Sequence, residues 1–204
     1  IAGDLKTHLL GNSRATIAVA GGTSPGPIFD DLCAAELEWA NVCVMASDER
    51  WVPEDSERSN ARQIRDRLLT NRANAAEFLP FYMDGMDPED AIEPLSDQVR
   101  ARGNLTVALL GMGADMHTAS LFPGEANLPA ALSPDAPEVA VIRPDSQPEA
   151  RITLTARVLD AAMAKHLVIF GEEKKDALHR ALHLPPEEAP IQAVLSGCQV
   201  HWAM

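Results

Sequence analysis

Residues 16–27 read Thr-Ile-Ala-Val-Ala-Gly-Gly-Thr-Ser-Pro-Gly-Pro. An apolar run without polar alternation is the pattern of a strand buried on both faces of a parallel sheet. The glycine pair after it permits a tight turn. Ser24 then predicts a helix N-cap, with Pro25 as the first helical residue. A strand, a glycine turn and a helix in that order form the opening unit of an α/β fold.

The same alternation continues along the chain. Apolar runs recur at residues 42–46, 105–110, 139–142 and 167–170, and residues 199–203 are expected as an edge strand. Helical spacing joins Ile28, Leu32 and Ala35 on one face, and Ile64 with Leu68 on another. Asp87, Pro88, Glu89 and Asp90 predict a helix start, continued by Ile92, Leu95 and Val99. Residues 172–182 predict a further helix with Leu178 and Leu182 turned inward. The expected fold is α/β: one domain over residues 1–204, an open, mostly parallel Rossmann-like sheet with helices on both faces. Residues 128–148, with Pro129, Pro134, Pro137, Pro144 and Pro148, read as a lid or a long connection around one short strand.

Composition narrows the classes of function. With 46% hydrophobic and 23% charged residues, the chain has the apolar content for a sizeable core, which excludes disorder as its main state. The net charge of −13 repels nucleic acid and anionic lipid, so neither is expected as a partner. A phosphorylated ligand would need a local basic cluster. Cys33, Cys43 and Cys198 form neither a disulfide framework nor a zinc spacing. They read as reduced core thiols of a cytoplasmic protein. No apolar run approaches the roughly eighteen residues of a membrane span.

In open α/β sheets ligands sit beyond the carboxyl ends of the strands, so the segments after each run hold the candidates. Gly21, Gly22, Thr23 and Ser24 can form an anion-binding turn, or a plain strand-to-helix connection. The lack of GxGxxG or GxxxxGK[ST] disfavours a dinucleotide or a nucleoside triphosphate. Arg50 can hold a phosphate through its planar fork, or pair internally with Asp48 or Glu49 while Trp51 packs. Gly111 and Gly113 make a loop able to approach a ligand. Asp115 and His117 follow, either a carboxylate able to fix the tautomer of an imidazole base, or a capping Asp and a packed His. Lys174 lies in a first helical turn, where a cation is mildly unfavourable and a ligand contact would explain it. Arg151 has no local pattern that decides its role. His179 and His183 have the spacing of a helical metal pair but lack a third ligand, and they suit a helix C-terminus without one. His8, His166 and His201 have no partner in sequence.

Four blocks then carry a resemblance. They are AGGTSPGPIFDDL from Ala20, DERWVPEDSERSNARQIRDRLL from Asp48, LLGMGADMHTASLFPG from Leu109, and RITLT with GEEKKDALHRAL from Arg151 and Gly171. The chain resembles the 6-phosphogluconolactonase family of the pentose phosphate pathway, within the superfamily that includes glucosamine-6-phosphate deaminase. The run from Gly111 to Gly124 is its most specific element. The resemblance implies hydrolysis of 6-phospho-D-glucono-1,5-lactone, with His117 as general base and Asp115 orienting either the imidazole or a substrate hydroxyl. It implies phosphate held by Arg50 and the turn of Gly21, Gly22, Thr23 and Ser24, joined by Arg151 and Lys174. Backbone N–H groups at Gly111 and Gly113 are the expected oxyanion donors. No metal or organic cofactor is implied, and a monomer or a homodimer is equally compatible. Leu121, Phe122 and Pro123 depart from the deaminase pattern. The alternatives are a deaminase/isomerase-like enzyme and a non-catalytic sugar-phosphate sensor.

Three departures accompany the resemblance. Thr23 and Ser24 stand where the family usually has Ser-Thr. Met116 stands where it has glycine, so a left-handed backbone there would be strained. The strand and helix that usually precede the first glycine turn are expected to be missing.

Overall fold

The computed structural model describes residues 1–144 and 147–204. In chain order the elements are α1 (Ala2–Leu9), β1 (Ala15–Val19), α2 (Gly26–Leu32), β2 (Val42–Ala46), β3 (Asp48–Arg50), α3 (Asn60–Arg67), β4 (Glu77–Leu79), α4 (Ile92–Ala101), β5 (Val107–Leu110), α5 (Leu128–Leu132), β6 (Val139–Ile142), β7 (Arg151–Leu154), α6 (Ala156–Asp160), β8 (Ala164–Phe170), α7 (Gly171–Ala181) and β9 (Cys198–Ala203).

Six strands form a parallel sheet in the order β4-β2-β1-β5-β8-β9. Its central strands β1, β2 and β5 are buried throughout. Their side chains alternate between two cores, as the pleat requires. Ile17, Val19, Val44 and Leu109 face a core closed by Leu5 of α1, Phe29 of α2 and Ile64 of α3. Ala18, Met45, Ala108 and Leu110 face a second, closed by Leu95 of α4, Leu128 of α5, Leu159 of α6 and Leu178 of α7. Helices therefore cover both faces, and β9 is the expected edge strand.

Several expectations are corrected. The strand at residues 139–142 does not join the parallel sheet. It pairs with β7 in a separate antiparallel sheet of order β3-β7-β6. The short strands β3, β4 and β7 were not expected, because β3 and β7 carry charged residues and no local pattern announces their pairing. Ser24 is not the cap of α2. Pro25 holds that position, and no side chain caps the helix. The α4 helix begins at Ile92 rather than Asp87, since residues 87–92 are wound by tighter bonds such as Asp90 N to Asp87 O at 3.1 Å. Glu89 there is turned to a forked ion pair with Arg143. Leu182 is 51% exposed because α7 ends at Ala181 and the chain turns away. Ala35 lies beyond α2 but still packs on the core. Cys33 and Cys43 are buried, whereas Cys198 is only half-buried. The connection at residues 128–148 contains α5 as well as β6, and its residues 145–146 lie outside the described residues. Among the described residues, no helix is long and apolar enough to cross a membrane.

Candidate active site

The parallel strands all deliver their carboxyl ends to one side, and a cleft of about 360 Å³ opens there. Gly21, Gly22, Thr23, Ser24, Arg50, Gly111, Gly113, His117, Arg151 and Lys174 all line it. Asp115 is one bond behind, on His117. The second sheet contributes to the convergence. Its strand β3 follows directly on β2, and β7 pairs with β3 so that Arg151 lies opposite Arg50, both lining the cleft.

The loop after β5 is shaped around the imidazole. Asp115 Oδ1 lies 2.5 Å from His117 Nδ1 and accepts the His117 backbone N–H at 3.2 Å. The carboxylate therefore holds Nδ1 as the protonated nitrogen and leaves Nε2 with the free lone pair. In this geometry Asp115 is bonded to the imidazole ring and to the His117 backbone. The bond to the imidazole keeps the Asp115 carboxyl below its ordinary range, against the opposing effect of burial. Phe122 packs on the ring at 4.5 Å between centroids. A Cβ on Gly113 would overlap both His117 Nδ1 and Asp115 Oδ1, so only glycine leaves room for the pair.

Met116 is in the left-handed region, with φ +69°. The strain anticipated from its sequence is present, and the loop is held in spite of it. Met116 N donates to Gly113 O at 3.0 Å, Ile191 N donates to Met116 O at 3.1 Å, and the side chain packs on the core. One expectation fails in this loop. The Gly113 N–H donates to His117 O at 3.0 Å, so it is not open to a developing oxyanion.

The Arg50 guanidinium forms no ion pair with Asp48 or Glu49, although the Arg50 backbone N–H donates to Glu49 Oε1 at 2.8 Å. Its Nη1 donates to Arg58 O at 2.6 Å and to Asn60 Oδ1 at 2.9 Å. Glu49 instead caps α3, accepting from Asn60 N at 2.8 Å and Ala61 N at 2.7 Å. Burial pushes its carboxyl up, against the pull of those backbone donors. Asp48 accepts from Ser120 Oγ at 2.6 Å and from Ser47 Oγ at 3.1 Å. Arg151 is 5% exposed, with Nη2 donating to Gln147 Oε1 at 3.2 Å and Nη1 3.8 Å from Asp48 Oδ2. Among the described residues, the buried Nε atoms of Arg50 and Arg151 have no hydrogen-bond partner. Burial, then the neighbouring Arg50 charge, pulls the Arg151 guanidinium below its ordinary range. Two under-satisfied guanidiniums facing one cleft are an arrangement that an anion would complete.

Asp48, Asn60, Gln147 and Phe122 also line the cleft, and reasoning from sequence assigned them no role there. Asp48 and Asn60 stand in the block around Arg50, but only folding shows Asn60 bridging Arg50 and the Asp48 carbonyl, to which it donates at 2.8 Å. His166 is not an isolated histidine. It meets Asp4 at 2.9 Å and His201 at 3.0 Å. Among the described residues, no three His, Cys, Asp or Glu side chains are grouped to hold a metal. His179 and His183 are both exposed, and His183 lies past the end of α7.

The model of the family described as Glucosamine-6-phosphate isomerases/6-phosphogluconolactonase matches residues 1–202. The chain is 38% identical to the 6-phosphogluconolactonase of Rhizobium meliloti, covering 98% of this chain and 89% of that protein. It is 35% identical to that of Pseudomonas aeruginosa, covering 99% and 87%. The crystal structure of a 6-phosphogluconolactonase from Shewanella baltica superposes with a TM-score of 0.94 at 31% identity, covering 98% of this chain and 88% of that one. With a cleft of this construction and likeness along nearly its whole length, the chain belongs to the glucosamine-6-phosphate isomerase/6-phosphogluconolactonase family.

Proposed function

We propose that this protein hydrolyses 6-phospho-D-glucono-1,5-lactone to 6-phospho-D-gluconate, with His117 as general base. One observation carries the reading: an imidazole with its Nδ1 tied to Asp115 shares a cleft with the paired guanidiniums of Arg50 and Arg151. His117 Nε2 takes a proton from water, and the hydroxide attacks the lactone carbonyl carbon. The resulting oxyanion faces the backbone at Gly111, because the Gly113 N–H is already engaged. The tetrahedral intermediate collapses, the bond from C1 to the ring oxygen breaks, and His117 returns its proton to that oxygen. Every proton is accounted for by groups of the chain and water.

Arg50, Arg151, Lys174 and the turn of Gly21, Gly22, Thr23 and Ser24 hold the phosphate. This distant grip positions the carbonyl, and in a chain of net charge −13 it also overcomes the repulsion an anionic substrate meets elsewhere. We place the reaction in the cytoplasm, where free thiols such as Cys33 and Cys43 stay reduced.

The test is hydrolysis of freshly prepared lactone by the purified chain. Wild type should turn it over, and His117→Ala should lose roughly 10²–10⁴-fold in kcat with an unchanged circular dichroism spectrum. Undiminished turnover by that variant removes His117 from the base role. Ammonia release from glucosamine 6-phosphate would point to the deaminase chemistry of the same family.

A further inference from the structure

The α3 helix lies along the first glycine turn. At successive turns of one helix face it sets three polar side chains against three glycines. A Cβ at Gly21 would overlap the Asn60 amide, and one at Gly26 would overlap the Arg67 guanidinium. Arg67 is in turn forked onto Asp30 of α2. Between them stands Gln63, which makes two bonds to a single residue. Its Oε1 accepts the Gly22 N–H at 3.0 Å, and its Nε2 donates to the Gly22 carbonyl.

These two bonds act on two different peptide planes. The Gly22 N–H belongs to the plane shared with Gly21, and the Gly22 carbonyl belongs to the plane shared with Thr23. Peptide planes are rigid, and every one described here is trans. In a trans plane the N–H points opposite to the C=O. Holding the Gly22 carbonyl toward α3 therefore aims the Thr23 N–H away from α3. Thr23 lines the cleft, and among the described residues its N–H has no hydrogen-bond partner.

Gly22 itself has φ +87°, a conformation only glycine adopts freely, and glycine is also the residue with the most orientations to lose. The turn is exposed, so packing alone does not fix it. The same helix carries Asn60, which holds Arg50, and its N-terminus is seated on the Glu49 carboxylate. The α3 helix thus ties the glycine turn to Arg50 in one rigid unit.

We infer that Gln63 is a positioning residue that pre-orients the glycine turn for a phosphoryl group by clamping both sides of Gly22. The inference rests on the phosphate-binding role proposed above for that turn. It assigns Gln63 no contact with the substrate. Its effect is on affinity for the phosphorylated ligand, transmitted through the backbone.

The test uses Gln63→Met, which keeps the side-chain length and removes both bonds. Inorganic phosphate is titrated into ¹⁵N-labelled protein, and both lactones, phosphorylated and unphosphorylated, are assayed. In wild type, phosphate should shift the Thr23 amide resonance. In the variant, phosphate affinity should fall and KM for the phosphorylated lactone should rise by about 5–10-fold, as expected for losing one or two net hydrogen bonds. The kcat and the KM for the unphosphorylated lactone should stay within about twofold. Wild-type phosphate affinity in Gln63→Met overturns the inference and leaves the proposed function standing. An equal loss toward both lactones also overturns it, because it marks a purely structural role. Failure of phosphate to perturb Thr23 in wild type, together with no discrimination between the lactones, overturns both readings.

Discussion

Arg50 and Arg151 stand directly opposite each other in the antiparallel β3–β7 pair. Like charges at such a position are destabilising, and burial aggravates the cost at Arg151. Under the phosphate-binding role proposed above, the pairing is a site held ready for an anion. Inorganic phosphate at about ten times its Kd should therefore raise the melting temperature of wild type by about 3–6 °C. Arg151→Met should lose most of that gain while its ligand-free melting temperature stays equal or rises slightly. Thermal scans with and without phosphate check both halves.

Gly113 is where the loop has no room to give. Gly113→Ala would drive a methyl group into the contact between His117 and Asp115. The variant should fold, because the clash is with half-exposed side chains rather than with the core. Its kcat should fall by roughly 10²–10⁴-fold, as expected when the carboxylate that orients a general-base imidazole is displaced. Asp115→Asn should give a loss of the same order by upsetting the tautomer. Steady-state kinetics beside a circular dichroism spectrum separate these losses from unfolding, and full activity in Gly113→Ala would show that the pair need not hold its observed geometry.

Met116 tests how the strain is carried. A left-handed non-glycine residue costs about 1–2 kcal/mol, while glycine costs the unfolded chain about 0.5–1 kcal/mol in entropy. Met116→Gly should therefore lie within about 1 kcal/mol of wild type, since lost side-chain packing offsets the relieved strain. Met116→Val, β-branched at a positive φ, should be clearly less stable than either. Urea denaturation of the three proteins gives the order.

His166 makes stability depend on pH. Burial lowers its pKa, against the opposing hydrogen bond to Asp4, so the folded protein binds fewer protons there than the unfolded chain. The stabilising contribution is fully present above the unfolded value near 6.5 and is lost as pH falls through the lowered folded value. The urea midpoint should decline on acidification from about pH 7, and His166→Gln should flatten that decline. Parallel slopes in the two proteins would remove His166 as its source.

The expectations that held and those that failed divide by range. The strand at residues 42–46 coincides with its apolar run to the residue, because a run of apolar side chains buried on both faces advertises itself locally. Lys174, a cation in the first turn of α7, lines the cleft. The Asp115–His117 contact joins residues two apart and follows from their loop. Residues 139–142 join the second sheet rather than the expected parallel one, because a short apolar strand carries no mark of which sheet it joins. Ser24 looks like a cap by composition, yet Pro25 occupies that position, so local preference gave way to how the turn docks.

By itself the amino-acid order determined the α/β class, the loop that carries the imidazole and the set of side chains from which a site could be drawn. Hydrophobic periodicity, glycine turns and short-range motifs act between near neighbours, and these are legible in a string. Only the folded chain decided that Arg151 would face Arg50, that Glu49 would cap α3 instead of pairing with Arg50, and that Gln63 would hold Gly22. Each of those contacts joins segments distant in the chain, and their partners are chosen by sheet register and helix packing, which no local pattern encodes.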